Sequence, residues 1–459
     1  MSAQNAAAPD GSAPRGRSWL ATWTPEDPAF WRETGSRIAW RTLTLTTISL
    51  ILSFATWFAM SAVVVRLPNV GFKFDTGQLF WLAAMPGLAG GTLRIVHTFL
   101  IPIFGTRAVI GTATLLKLIP CVGLALAITD PTTPFWMFMV LALCAGMGGG
   151  DFSSYMPSTS LFFPKRLQGT ALGIQAGIGN FGVSVAQFVT PWIIGFAAFG
   201  AVGGAAQTFT KGDVSKSMWL QNAFWVYTPF LVALGIACFV WLRSVPVRVS
   251  FREQLDIFRN KHTWFCTVTY LMTFGSFSGF SAAFPLLIKT VYGKFPDAPD
   301  PLVYAFYGPL IGSASRVIFG FVADRTGGAI LTHLTGIALI GLSGALVATG
   351  ALTPASTASF PTFVGIMLAI FFFTGMGNAA TFRQYPVIFS HSPRQGAGVL
   401  GWTGAVAAYG PFLVSMLVGL SISGTGTAKT FFVGAIAFYV IATAINWWFY
   451  TRKGAEKPC

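Results

Sequence analysis

A chain of 459 residues that is 54% hydrophobic, 15% aromatic and only 9% charged, with a mean hydropathy of +0.65, is too apolar for a soluble domain and belongs in a bilayer. Its net charge of +15 therefore reads as membrane topology and contact with anionic lipid, not as a nucleic-acid surface. Five cysteines without a CxxC pair, and four dispersed histidines (His97, His262, His333 and His391), exclude a metal cluster or a catalytic constellation, so no metal, no cofactor and no enzymatic activity are expected.

Residues 1–43 are polar, with neither a long apolar core nor a small-residue cleavage site, and read as a cytoplasmic N-terminal tail. From residue 44 onward, apolar windows of about 20 residues, enough to cross a hydrocarbon core of about 30 Å, recur twelve times. They cover 44–66, 79–104, 108–129, 134–162, 167–199, 218–242, 263–288, 302–323, 329–350, 360–390, 396–420 and 428–450. These windows divide into a six-helix bundle over 44–243, a basic polar linker over 244–262, a second six-helix bundle over 263–451 and a C-terminal tail over 452–459. With the N-terminus inside, eighteen Lys and Arg fall in cytoplasmic segments, Arg15, Arg17, Arg248, Arg252 and Arg394 among them, against seven on the opposite side and four within spans. That asymmetry puts both termini on the cytoplasmic side of a cell inner (plasma) membrane.

The chain repeats itself at half its length, as carriers built from duplicated bundles do. GGTLR at 90–94 is followed by Gly105, eleven residues beyond Arg94, and GSASR at 312–316 by Gly327, eleven beyond Arg316. Arg94 lies 15 residues past Leu79 and Arg316 lies 14 past Leu302, about 21–22 Å of helix, so the two are expected at matching depth. GMG at 146–148 and at 375–377 are each followed by a proline 18 residues after the first glycine, which pairs span four with span ten. Gly169, Gly173 and Gly177 in span five, and Ala397, Gly401 and Ala405 in span eleven, put small residues at four-residue spacing, where close packing or sliding is expected. Gly179 and Gly182 flank Asn180 and are expected to let that helix bend.

An arginine inside a span costs at least about 2.5–3.5 kcal/mol on insertion scales. Arg94, Lys117, Arg316 and Arg383 lie within spans, whereas only one of the fourteen acids, Asp151, lies deep in one. The surplus calls for an anion, with Arg94 and Arg316 as its pair, because a planar guanidinium offers parallel donors to a planar oxyanion. Lys117 reads as structural.

Twelve spans in two parallel halves resemble the major facilitator superfamily, and GFVADRTGG at 320–328 resembles that superfamily's loop motif after span eight. The resemblance implies an all-α integral membrane protein of the major facilitator fold, with twelve transmembrane helices in two pseudo-symmetric six-helix bundles, and makes Asp324 and Arg325 a gating latch. Four separated segments look like the nitrate/nitrite porter family within that superfamily: WTPEDPAFW at 23–31, TLRIVHTFLIPIFGTR at 92–107, the glycine-rich stretch from GMGGGDFSSYMP to GIGNFGVSVAQ at 146–187, and YLMTFGSFSGFSAAF at 270–284. This second resemblance implies a nitrate and nitrite transporter that works by alternating access as a functional monomer. Arg94 and Arg316 would grip the anion, Asn180 and Tyr270 would add polar contacts, and Phe54, Phe152 and Phe274 would flank it. Gly173, Gly177, Gly179 and Gly401 fall on the helices expected to gate. Asp151 and Arg383 depart from the pattern, standing where antiporter-like relatives carry asparagine and glutamine. Two readings stay open: the pair compensate one another and coupling is nitrate/nitrite exchange, which is preferred, or Asp151 carries a proton and nitrate enters with protons. An anion channel ranks behind both, since the six-plus-six repeat already supplies a carrier's two halves.

Overall fold

With no water in a hydrocarbon core to satisfy peptide groups, a spanning chain of this composition must close its hydrogen bonds within helices. The computed structural model does so, and describes residues 6–7, 18–246 and 255–459, except for the side chains of residues 6, 7, 393 and 394. Arg15, Arg17, Arg248, Arg252 and the Arg394 side chain, counted above toward topology, lie outside the described residues. One apolar helical stretch, Thr76–Thr129, is 54 residues long, about 81 Å at 1.5 Å per residue, far too long for one crossing. It breaks at Gly105, whose φ of 77° and ψ of 160° are not helical, and so makes two crossings. The helices of the first half are α1 (Ser36–Val63), α2 (76–104), α3 (106–129), α4 (Phe135–Phe162), α5 (Lys165–Ile193) and α6 (Asn222–Trp241). Those of the second are α7 (Lys261–Tyr292), α8 (Pro301–Thr326), α9 (Gly328–Ala348), α10 (Phe360–Ile388), α11 (Gln395–Thr425) and α12 (Lys429–Thr451). The halves meet along α2 and α11, α5 and α8, and α1 and α7.

The sequence repeat has a packing reason. A Cβ at Gly146 would lie 2.7 Å from the Gly90 backbone nitrogen, and one at Gly375 would lie 2.0 Å from the Gly312 carbonyl oxygen. Thus α4 crosses α2, and α10 crosses α8, at backbone contact, one helical turn before Arg94 and Arg316. Eleven residues beyond each arginine, Gly105 and Gly327 both take positive φ (77° and 87°), a conformation open to glycine at little cost, and each ends its helix.

Several expectations need correction. The first spanning helix starts at Ser36 and continues back through a π turn, Trp31–Gly35, to Pro28. Trp23 and Trp31 are buried against Phe162 and Phe163, so the stretch 23–43 is packed protein and not a free tail. The apolar run after α5 does not extend the span to 199. An antiparallel hairpin follows it instead, β3 (Gln207–Lys211) and β4 (Val214–Met218), a second small pairing after β1 (Ala6–Ala7) with β2 (Thr22–Trp23). Gly179 and Gly182 do not break α5, which is one continuous helix. A Cβ at Gly182 would lie 2.2 Å from the Ile51 carbonyl oxygen, so these glycines let α5 lie directly on α1. Nor is the Gly169/Gly173/Gly177 stripe a tight seam: Gly169, Gly173 and Gly401 have nothing within 4 Å of their Cβ positions, while Gly177 reaches Val317 at 3.4 Å.

The interface is therefore open toward the face that carries the linker. It is closed toward the face that carries Arg66, where side chains of one half bond to the other. Arg66 Nη2 donates to Asp300 Oδ1 at 2.6 Å, Lys289 Nζ to the Val65 carbonyl, Lys211 Nζ to the Ala298 carbonyl at 3.4 Å and Gln187 Nε2 to the Ser281 carbonyl at 2.7 Å.

Candidate anion site

Arg94 is fully buried at the point where α2, α4 and α11 converge. Its Nε donates to the Gly149 carbonyl at 2.9 Å and its Nη1 to the Gly404 carbonyl at 2.6 Å, so one guanidinium bridges the two halves. Nη2 has no hydrogen-bond partner among the described residues. The guanidinium lies 4.5 Å from the centre of the Phe152 ring, 5.4 Å from Phe274 and 5.6 Å from Trp57, within cation–π range. Arg316, also buried, stands at the repeat-related position of the second half. Its guanidinium lies 4.8 Å from the Phe382 ring, and Nη1 is unpartnered among the described residues.

The aromatic walls come in stacked pairs. Phe54 and Phe152 lie 5.9 Å apart at 12°, and Tyr270 and Phe274 lie 5.5 Å apart, also at 12°. Tyr270 precedes, and Phe274 lies within, a π turn, Leu271–Gly275, a local widening of α7 of the kind that recurs at functional sites. Asn180 on α5 is buried, and neither atom of its amide has a partner among the described residues. Unpartnered guanidinium nitrogens against ring faces have the chemistry to hold a small anion.

Asp151 and Arg383 do not pair. Asp151 accepts from Lys117 Nζ at 2.6 Å, both side chains being 1% exposed, and from Ser53 Oγ at 2.9 Å. Arg383 sits 3.1 Å from Asp324 in a half-exposed pair between α10 and α8. Hence Asp324 pairs within its own half, and Arg325 is exposed beside it. Of the four cations placed within spans, only Arg94 and Arg316 have no carboxylate partner among the described residues, a surplus of two instead of three. Trp57 was not anticipated, although it lies three residues from Phe54 and so shares its helical face. The Gly149 and Gly404 carbonyls carry no side-chain signal at all.

The major facilitator superfamily model matches residues 45–391. Two curated relatives span nearly the whole chain. The Thermus thermophilus protein named "Probable nitrate/nitrite antiporter NarK2" is 59% identical over 96% of this chain and 98% of its own length. The Escherichia coli K12 "Nitrate/nitrite transporter NarU" is 36% identical over 95% and 97%. The chain belongs to the nitrate/nitrite porter family of the major facilitator superfamily. Among solved structures, a bacterial homolog to the human lysosomal transporter Spinster, in an inward-facing and unoccupied conformation, aligns with a TM-score of 0.65 at 15% identity over 89% of this chain and 96% of that one. The nucleoside transporter NupG aligns at 0.60 and 14% over 88% and 98%. At such identities these two show the fold alone.

Proposed function

We propose that this protein exchanges nitrate and nitrite across a cell inner membrane by alternating access, as a monomer with both termini and the linker face in the cytoplasm. The anion is held between the bundles 44–243 and 263–451 by Arg94 and Arg316, with Asn180 and Tyr270 as further donors. The carrying observation is that these two arginines, at repeat-related positions, are, among the described residues, the buried cations without a carboxylate, and each keeps an unpartnered guanidinium nitrogen. Desolvating a dianion costs far more than desolvating a monoanion, so the ring walls of Phe54, Phe152 and Phe274 select a small, weakly hydrated, planar monoanion.

Exchange follows from the charges. Closing the linker face without an anion would press Arg94 and Arg316 together in a poorly screening medium, whereas a bound anion offsets the repulsion and lets α5 and α11 close over Gly173 and Gly401. Proton coupling through Asp151 would require protonating a carboxylate that already neutralises Lys117 and would leave a buried cation uncompensated. Counterflow tests the reading: liposomes preloaded with nitrite should take up labelled nitrate much faster than liposomes preloaded with sulfate, and equal rates in the two would reject exchange.

A further inference from the structure

Between the arginine pair and the Arg66 face, the interface carries polar groups that packing does not explain. On α5, Asn180, Ser184 and Gln187 follow i, i+4, i+7 spacing and share one face. That face looks at the second half, because Gln187 Nε2 bonds to the Ser281 carbonyl of α7 as well as to Ser61 Oγ of α1. On α8, Ser313 precedes Arg316 by about one turn. The register of these antiparallel helices is fixed on both sides of the serines: the Cβ position of Gly177 lies 3.4 Å from Val317 Cγ2, and the Phe188 and Phe306 rings meet edge to face at 5.2 Å. Interpolation places Ser313 level with Phe181, and Ser184 level with Leu310, so the two serines lie about 4.5 Å apart along the helix axes.

Ser184 and Ser313 are 6% and 0% exposed, and neither hydroxyl has a partner among the described residues. Neighbouring hydroxyls behave differently. Ser61 bonds back to the Phe58 carbonyl at 2.6 Å, Ser281 to Phe277 at 2.7 Å and Thr190 to Ala186 at 2.6 Å, the usual refuge of a hydroxyl in a spanning helix. Two serines that forgo that refuge, beside an Asn180 amide with both atoms free, form a set of donors without acceptors.

We propose that Ser184 and Ser313, with Asn180, form a second, transient station for a small oxyanion, between the arginine pair and the Arg66 face. This rests on the transport reading above. Two hydroxyls and an amide supply three donors for the oxygens of a planar oxyanion, and Arg316, one turn away on the same helix, supplies attraction without the full two-arginine grip. A weaker second site lets the anion leave toward the Arg66 face. Gln187, bonded across the halves, closes that route in the present conformation.

The test is the sidedness of KM for nitrate in oriented proteoliposomes. In the Ser184→Ala, Ser313→Ala double variant, KM on the Arg66 face should rise about tenfold, the loss of a hydrogen bond to a charged ligand, while KM on the linker face stays within about twofold of wild type. Unchanged values on both faces, or equal rises on both, would overturn the station. A wild type that shows no nitrate exchange would defeat the transport reading instead. Ser313→Cys, in a background with the five native cysteines replaced, gives an arm independent of that variant's folding. A membrane-impermeant thiol reagent should label it from the Arg66 face during turnover, and nitrate should slow the labelling; absence of labelling in actively exchanging protein would overturn the station.

Discussion

Replacing Arg94 with lysine keeps the charge and removes the geometry, which makes it a sharp probe of the anion site. In the protein one guanidinium serves three directions: Nε to the Gly149 carbonyl on α4, Nη1 to the Gly404 carbonyl on α11, and Nη2 left for a ligand. A lysine ammonium gathers its donors on one atom and cannot span two carbonyls on different helices while facing the anion. It also gives up the planar contact with Phe152. The expected loss is one charge-assisted hydrogen bond, about 1.5–3 kcal/mol, which weakens nitrate binding about 10- to 150-fold. Calorimetric titration of purified Arg94→Lys protein, with its thermal midpoint as a folding control, measures this. A folded variant whose Kd shifts by less than about threefold, under about 0.7 kcal/mol, would refute the clamp.

Asp151→Asn strands Lys117 in the core and should destabilise the protein by about 3–5 kcal/mol, whereas the Lys117→Met, Asp151→Asn double variant should recover most of that loss; thermal unfolding in detergent compares the two. Gly182→Ala should unfold the protein at lower temperature, because its Cβ would meet the Ile51 carbonyl oxygen at 2.2 Å. Gly173→Leu should leave folding and nitrate binding intact and slow exchange, since its side chain enters open space that must close; an unchanged exchange rate would remove Gly173 from the gate. At the chain's end, hydrogen bonds chiefly from Lys261, and then from His262, hold the Glu456 carboxyl below its ordinary range. A depressed carboxylate adds stability above its unfolded pKa and loses it as pH falls through the folded value. Wild type should therefore lose more of its thermal stability than Glu456→Gln between neutral pH and the acid side of the carboxylate range.

The span pattern and the duplicated arginines were legible because composition and spacing carry them directly: twenty-residue apolar windows, and a glycine one turn before each arginine. What stayed hidden depended on three-dimensional partners. Lys117 and Asp151 are 34 residues apart in sequence and meet only because α3 and α4 pack together, so the departure of Asp151 and Arg383 from the family pattern suggested a pair that the packing does not make. The hairpin 207–218 was lost because the apolar run after α5 continues the hydropathy signal past Ile193, where the helix ends, into a connection that turns at Gly200 and Gly204, both at positive φ. The π turn beside Tyr270, and the two carbonyls that hold Arg94, are backbone features with no residue-type signature.

The most direct test of the exchange mechanism is net nitrate uptake into proteoliposomes that contain no transportable anion, with and without an inward proton gradient. Exchange through an arginine pair that closes only when loaded predicts negligible uptake in both conditions and rapid uptake once nitrite is placed inside. Robust proton-driven uptake into nitrite-free liposomes, abolished by Asp151→Asn, would contradict it.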